Sequence, residues 1–122
     1  MPYDTNNIFA RILRGEIPCN KVYENDHALA FNDIHPQAPT HILVIPKGPY
    51  VSMTDFSQKA SAAEQAAFFA AIAAIVAEKK LDESGYRTIA NTGVHGGQEV
   101  PHFHIHILAG KKLGRMVSAE AA

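Results

Sequence analysis

The sequence predicts an α+β domain: a five-stranded antiparallel sheet with one short N-terminal helix and one long central helix. Three observations lead there. Five short runs read as strands, among them the β-branched HILVIP at 41–46 and the alternating HFHIHIL at 102–108. Hairpin-like connections dominate between them, which selects antiparallel pairing. Only one segment, 57–80, carries a long helical stripe.

Taken in order, Asp4, Thr5 and Asn6 offer capping oxygens ahead of Ile8, Phe9, Ile12 and Leu13, which share a helical face. This predicts a helix over about residues 7–14, stopped by Gly15 and blocked by Pro18. KVYE (21–24) and HALAF (27–31) flank Asn25 and Asp26 and predict a hairpin. NDIHPQAPTH is a loop, HILVIP a buried strand, and KGPYVSMTD a connecting loop. Over 57–80, Phe68, Phe69, Ile72, Ile75 and Val76 form the stripe, and Lys79 and Lys80 suit the negative end of the helix dipole. YRTIANT (86–92) is a strand, GVHGGQEVP (93–101) a glycine-rich loop, and HFHIHILAG (102–110) the last strand.

The chain has 122 residues, which fits a single domain over 1–122 with a core of about 7–114. The short C-terminal tail, 111–122, is read as frayed at its end or attached to a partner. A net charge of -1 excludes a binder that works by neutralising nucleic-acid phosphates. Cys19 is the single cysteine, so no internal disulfide and no cysteine-based zinc site can form. That suits a reducing compartment, and MPYDTNNIF has neither the basic patch nor the apolar stretch of a signal peptide. The expected location is the cytoplasm. The Ala-rich 62–77 is interrupted by Glu64 and Gln65 and reads as a soluble helix, with no membrane partner.

HFHIHIL carries the chemistry. On a strand, His102, His104 and His106 point one way, and Phe103, Ile105 and Ile107 point into the core. Three readings compete. The imidazoles can be the polar outer face of a half-buried strand. They can bind a metal, but the outer Cα atoms lie roughly 13 Å apart and Zn–N bonds are about 2.0 Å. Two of them would then need His41 or His95 as further ligands. Third, they can act on phosphorus. Two imidazolium charges ~7 Å apart repel by about 2.4 kcal/mol at a dielectric of ~20, so most rings are neutral near pH 7. A neutral ring offers a lone pair for attack, and a neighbour that does hold a proton can neutralise an oxygen or protonate a leaving group. Gly96 and Gly97 precede the strand and either cradle an anion or simply make the turn. Asn91 and Gln98 add neutral donors, and His41 reaches the same place if its strand neighbours the last one. His27, His35 and His95 read as surface residues.

HFHIHIL also matches the alternating signature of the histidine triad superfamily of nucleotide hydrolases and transferases. IFARILRGEIP, FNDIHPQAPTHILVIPK and NTGVHGGQEVPHFHIHILAG resemble its branch of histidine triad nucleotide-binding proteins, which are purine nucleoside phosphoramidases. The resemblance runs over about residues 7–114. It implies that His104 is the nucleophile, that His106 and the backbone around it hold the phosphate, and that His102 and His41 orient the triad and relay protons. It further implies a ribose-binding carboxylate at Asp33 with Ile34 beside it, and an apolar base slot from Ile8, Phe9, Ile12, Ile17 and Leu43. Asn91, Gly97, Gln98 and the Glu99 backbone would line the phosphate side. Without the resemblance, Ile8, Phe9 and Ile12 read equally well as core, and Asp33 as a turn-capping carboxylate. Two positions depart from the family: Glu99 stands where animal members carry serine, and Pro101 where an aromatic residue precedes the first histidine. Zinc-binding cysteines of some relatives are absent. The implied protein is a homodimeric hydrolase of purine nucleoside 5'-phosphoramidates, working through a nucleotidyl-histidine with no metal and no cofactor. A dinucleoside polyphosphate hydrolase and a non-catalytic nucleotide-binding module are the alternatives.

Overall fold

The computed structural model describes residues 2–118. The first helix, α1 (Ile8–Leu13), is capped by Asn7. The Asn7 side-chain oxygen accepts the Ala10 N–H at 2.9 Å. The cap therefore sits one residue beyond the expected group at residues 4–6. Asn7 takes the position because its amide also donates to the Asp4 carbonyl at 2.8 Å, which satisfies both ends of a buried side chain. Gly15, at φ +78°, ends the helix. Its N–H bonds the Ile12 carbonyl while that of Glu16 bonds Arg11, the paired closure that a left-handed residue permits.

β1 (Lys21–Glu24) and β2 (Ala28–Asn32) form the expected hairpin, β2 starting one residue later than read. The Asn25 side-chain oxygen accepts the N–H groups of His27 and Ala28, and its amide donates to the Ala67 carbonyl at 2.9 Å. That last bond ties the turn to the helical layer. β3 (Thr40–Pro46) follows.

The segment expected to be one helix over 57–80 is two. α2 (Met53–Lys59) begins inside the stretch read as a loop, and α3 (Ala62–Glu78) follows after Ala60 and Ser61. Ser61 breaks the run because it caps α3: its hydroxyl accepts from the Glu64 N–H, and Glu64 reaches back to the Ser61 N–H. Of the expected stripe, Phe68, Ile75 and Val76 are buried and Ile72 packs at the margin, but Phe69 is 59% exposed. β4 (Tyr86–Ile89) is shorter than read. The glycine-rich loop contains a single helical turn, α4 (Gly93–Gly96). β5 (Ile105–Ala109) begins only after His104.

The five strands make one antiparallel sheet in the order β1-β2-β3-β5-β4. Alternation along β3 divides the core. Ile42 and Val44 join Ile105, Ile107, Phe103, Phe56, Phe68 and Ile75 under α2 and α3. Leu43 and Ile45 join Phe9, Leu29 and Phe31 under α1. Full burial of Phe68, Ile42, Ile75 and Ile107 contributes about 1.5–3 kcal/mol apiece. Since Ile105 and Ile107 belong to the α3 face, the side chain between them, His106, must emerge on the α1 face. Past β5, the Arg87 guanidinium donates to the carbonyls of Gly114 and Arg115 at 3.0 and 3.3 Å, which fastens the tail to β4. The end of the tail, 119–122, lies outside the described residues. Among those described, no helix is long and apolar enough to cross a membrane.

Candidate active site

A cavity of about 460 Å³ opens on the α1 face of the sheet. Ile8, Phe9 and Ile12 from α1, Ile17, Phe31 from β2 and Leu43 from β3 make its apolar end. Asp33, Asn91, Gly97, Glu99, His104 and His106 make its polar end, with Ile34 at the rim. β3 and β5 are neighbours, with Leu43 opposite His106 and His41 opposite Leu108. The base-slot and phosphate-side residues expected from the sequence thus line one cavity, apart from Gln98.

The hydrogen bonds fix which ring nitrogens carry protons. The Gln37 N–H donates to His41 Nδ1 at 3.0 Å, so His41 holds its proton on Nε2. That Nε2–H donates to His106 Nδ1 at 2.9 Å, leaving the His106 proton on Nε2. His104 Nδ1 lies 2.7 Å from the His102 carbonyl, which can only accept, so His104 is protonated there and its Nε2 lone pair is unspent. His102 Nε2 lies 2.8 Å from the Pro46 carbonyl and donates to it. The polar end therefore presents a basic nitrogen on His104 beside an N–H donor on His106, the two rings 5.1 Å apart.

Burial governs the charge. It pushes His102 and His106 down to about 4 and lowers His104 and His41 as well. For His104, the His102 carbonyl and the charges of Asp33 and Glu99 pull the other way and lose. All four rings are neutral near pH 7. Desolvation is the larger effect and charge repulsion between the rings the smaller, so the donor that His106 presents is the N–H of a neutral ring.

Other expected residues stand behind the cavity or turn from it. His102 is 0% exposed and lies beneath it, and His41 is buried behind His106. Neither His102 nor His104 is in the strand ladder; the Phe103 N–H bonds the Tyr50 carbonyl instead. Gln98 faces away: its amide donates to the carbonyls of Val51 and Val100, and its oxygen accepts the Gly93 N–H, so it braces the loop. Asp33 does two things. One oxygen accepts the His35 N–H at 2.8 Å, the turn-capping role, and the other lies 3.4 Å from His41 Nε2. His35 is exposed but lines the rim, and Cys19, Asn20, Asn32, Gln37 and Val100 also line the cavity unanticipated. Ile17-Pro18, followed at once by Cys19 and Asn20, was the available signal for two of them.

Asp33, His41 and His106 offer ligand atoms within 4.8 Å of one another, the spacing of a metal site. His95 is exposed and is not in that group. A proton already joins His41 to His106, so an ion there would replace a hydrogen bond. Lys47 is drawn to Glu24 at 2.7 Å in a separate cavity beside β1. Among the described residues, no lysine or arginine lines the histidine cavity.

Comparison with known proteins places this arrangement. A 13.2 kDa HIT-like protein of Azospirillum brasilense is 60% identical over 116 residues, 95% of each chain. The purine nucleoside phosphoramidase of Escherichia coli strain K12 is 48% identical over 113 residues, 91% of this chain and 92% of its own. The structure of a histidine triad protein from Clostridium difficile superposes with a TM-score of 0.81 at 46% identity, covering 95% of this chain and all of that one. The profile of the HIT domain matches residues 14–113, and with it the chain is a member of the HIT domain family.

Proposed function

We propose that the protein is a hydrolase of purine nucleoside 5'-phosphoramidates. One observation carries the reading: the unspent Nε2 of His104 lies beside the Nε2–H of His106 at the polar end of the cavity, next to its apolar slot. The kinship with a phosphoramidase over 91% of the chain supports it. The slot takes the purine. Asp33, at its polar end, accepts from the ribose hydroxyls. His104 Nε2 forms a bond to the α-phosphorus as the P–N bond breaks, and the departing nitrogen takes a proton from water at the cavity mouth. The His104 ring gains positive charge in that step, and its Nδ1–H bond to the His102 carbonyl stabilises the charge. His106 donates to a phosphoryl oxygen, with its tautomer set by His41. Water then attacks phosphorus, the P–Nε2 bond breaks, and the monophosphate leaves as a proton returns to solvent. Asn91, Gly97 and Glu99 flank the leaving group.

The working form is a two-fold dimer. Phe69 on α3 is 59% exposed, Tyr86 on β4 is 39% exposed, and β4 is an edge strand able to extend the sheet into a second copy.

His104→Ala should lower turnover of an AMP-amine at least about 10⁴-fold, since it removes the attacking atom. AMP binding should persist by calorimetry, because the slot and Asp33 remain. Labelled nucleotide should be trapped covalently on His104 of the wild type. Trapping on another histidine would reassign the nucleophile. AMP binding without turnover by the wild type would favour the non-catalytic nucleotide-binding module.

A further inference from the structure

Tyr3 lies eleven residues ahead of the segment matched by the family profile, which starts at residue 14, yet it touches the triad. Its hydroxyl is 2.6 Å from His102 Nδ1, and its ring meets the imidazole edge-on at 5.6 Å and 69°. We propose that Tyr3 is a positioning residue: it donates to His102 Nδ1 and so fixes the residue whose main-chain carbonyl holds His104 in its attacking tautomer. This rests on the reading of His104 as the nucleophile.

The contact has only one satisfactory proton arrangement. His102 Nε2 faces the Pro46 carbonyl at 2.8 Å, so the ring's proton is committed there. Nδ1 is then an acceptor on a residue that is 0% exposed, out of reach of bulk water. The Tyr3 hydroxyl is the donor it finds. Among the described residues no buried side-chain polar atom lacks a partner, and removing this hydroxyl would create one. An imidazole with an unsatisfied Nδ1 can seek a partner by rotating, whereas moving its proton to Nδ1 would set a lone pair against the Pro46 carbonyl. Either change disturbs the 102–104 backbone, and that backbone supplies the carbonyl 2.7 Å from His104 Nδ1.

Tyr3 is itself held in place. The next residue, Asp4, has its carbonyl bonded by the Asn7 N–H and the Asn7 amide, and its carboxylate accepts the Asn6 N–H. Asn7 in turn caps α1. That helix sets Phe9 edge-on against His102 and His104, at 6.1 and 5.0 Å. The N-terminal segment is thus a brace running from the α1 cap to the underside of the triad. Tyr3 does not line the cavity, so its effect on chemistry must pass through His102.

The test is Tyr3→Phe, which keeps the ring and removes the hydroxyl. The kcat for an AMP-amine should fall about fivefold, the worth of one net hydrogen bond, with KM changed by less than about twofold. Ring nitrogen NMR of ¹⁵N-histidine protein, recorded without substrate, should show His102 as the Nε2–H tautomer with a hydrogen-bonded Nδ1. That Nδ1 signal should shift toward the free-acceptor position in the variant. A variant that merely loosens the fold would lower the melting temperature without this selective shift. Unchanged kcat, or a fall in kcat with an unchanged His102 signal, overturns the proposal. So does a wild-type spectrum with the proton on Nδ1, whether or not the variant folds. A wild type that turns over no phosphoramidate defeats the functional reading instead, and the spectrum still decides the Tyr3–His102 contact.

Discussion

His102 is wholly buried and still titratable, and that combination makes stability depend on pH. Burial holds it at about 4 in the folded chain, against 6.5 for an ordinary imidazole. The sign follows from proton uptake. Between those values the unfolded chain binds a proton that the folded chain refuses, so acid favours unfolding. The stabilisation is complete above about pH 6.5 and is lost as the pH falls toward 4. At pH 4.5 the loss from His102 alone is on the order of 2–3 kcal/mol, and His104, His106 and His41 are shifted the same way. Carboxylates act later. Glu24, held at about 2 by Lys47 and Lys21, gives up its contribution only below the ordinary 4.5. Urea unfolding at pH 7 and pH 4.5 therefore isolates the imidazoles, and equal unfolding free energies at the two would refute the neutral buried triad.

At the scale of elements, the break between α2 and α3 is the clearest local device. Ser61→Ala removes the hydroxyl that caps α3 and half of its reciprocal pair with Glu64. The expected cost is about 1 kcal/mol in urea unfolding, with turnover unchanged because the cap does not line the cavity. A larger loss of turnover than of stability would show that α3 communicates with the site. The same cap shows what the sequence makes legible. Ser61 and Glu64 stand three apart, as do Ser52 and Asp55, whose N–H the Ser52 hydroxyl accepts. Both helix starts were written in the chain, but a run of alanines has helix propensity throughout and hides the interruption. The strand alternation was legible because side-chain direction has a period of two, and it puts His106 on the face opposite Ile105 and Ile107. His41 was conditional on β3 lying beside β5, a long-range pairing that no local pattern encodes. Gln98 was misread because an amide's partners depend on which carbonyls the loop brings near, here Val51 from 47 residues away. The Tyr3 contact spans 99 positions and left no local trace.

At the scale of the whole molecule, the distribution of charge sets the expected substrate preference. The edge strand β4 and the exposed Phe69 predict a dimer, which sedimentation at micromolar concentration should report as twice 13.3 kDa. A single 13.3 kDa species would remove that assembly. Within one copy, the cavity holds neutral imidazoles and the acidic Asp33 and Glu99, with no lysine or arginine on its wall among the described residues. Lys47 is spent on Glu24 in the neighbouring cavity, and the tail that carries Arg115 is fastened to β4 by Arg87. A polyphosphate leaving group brings several negative charges and needs cations that this wall does not offer. An amine leaving group brings none, and an ammonium on its far end is attracted by Glu99. The ratio of kcat/KM for AMP-lysine over diadenosine tetraphosphate should therefore exceed about 10², the scale of two missing charge-assisted hydrogen bonds. Glu99→Gln should narrow the ratio by raising the tetraphosphate rate and lowering the AMP-lysine rate, without changing the rate for an uncharged amine. Equal values for the two substrates in the wild type would overturn the charge argument and favour the polyphosphate hydrolase. A wide ratio that Glu99→Gln leaves untouched would keep the preference and assign it to the uncharged wall of the cavity alone.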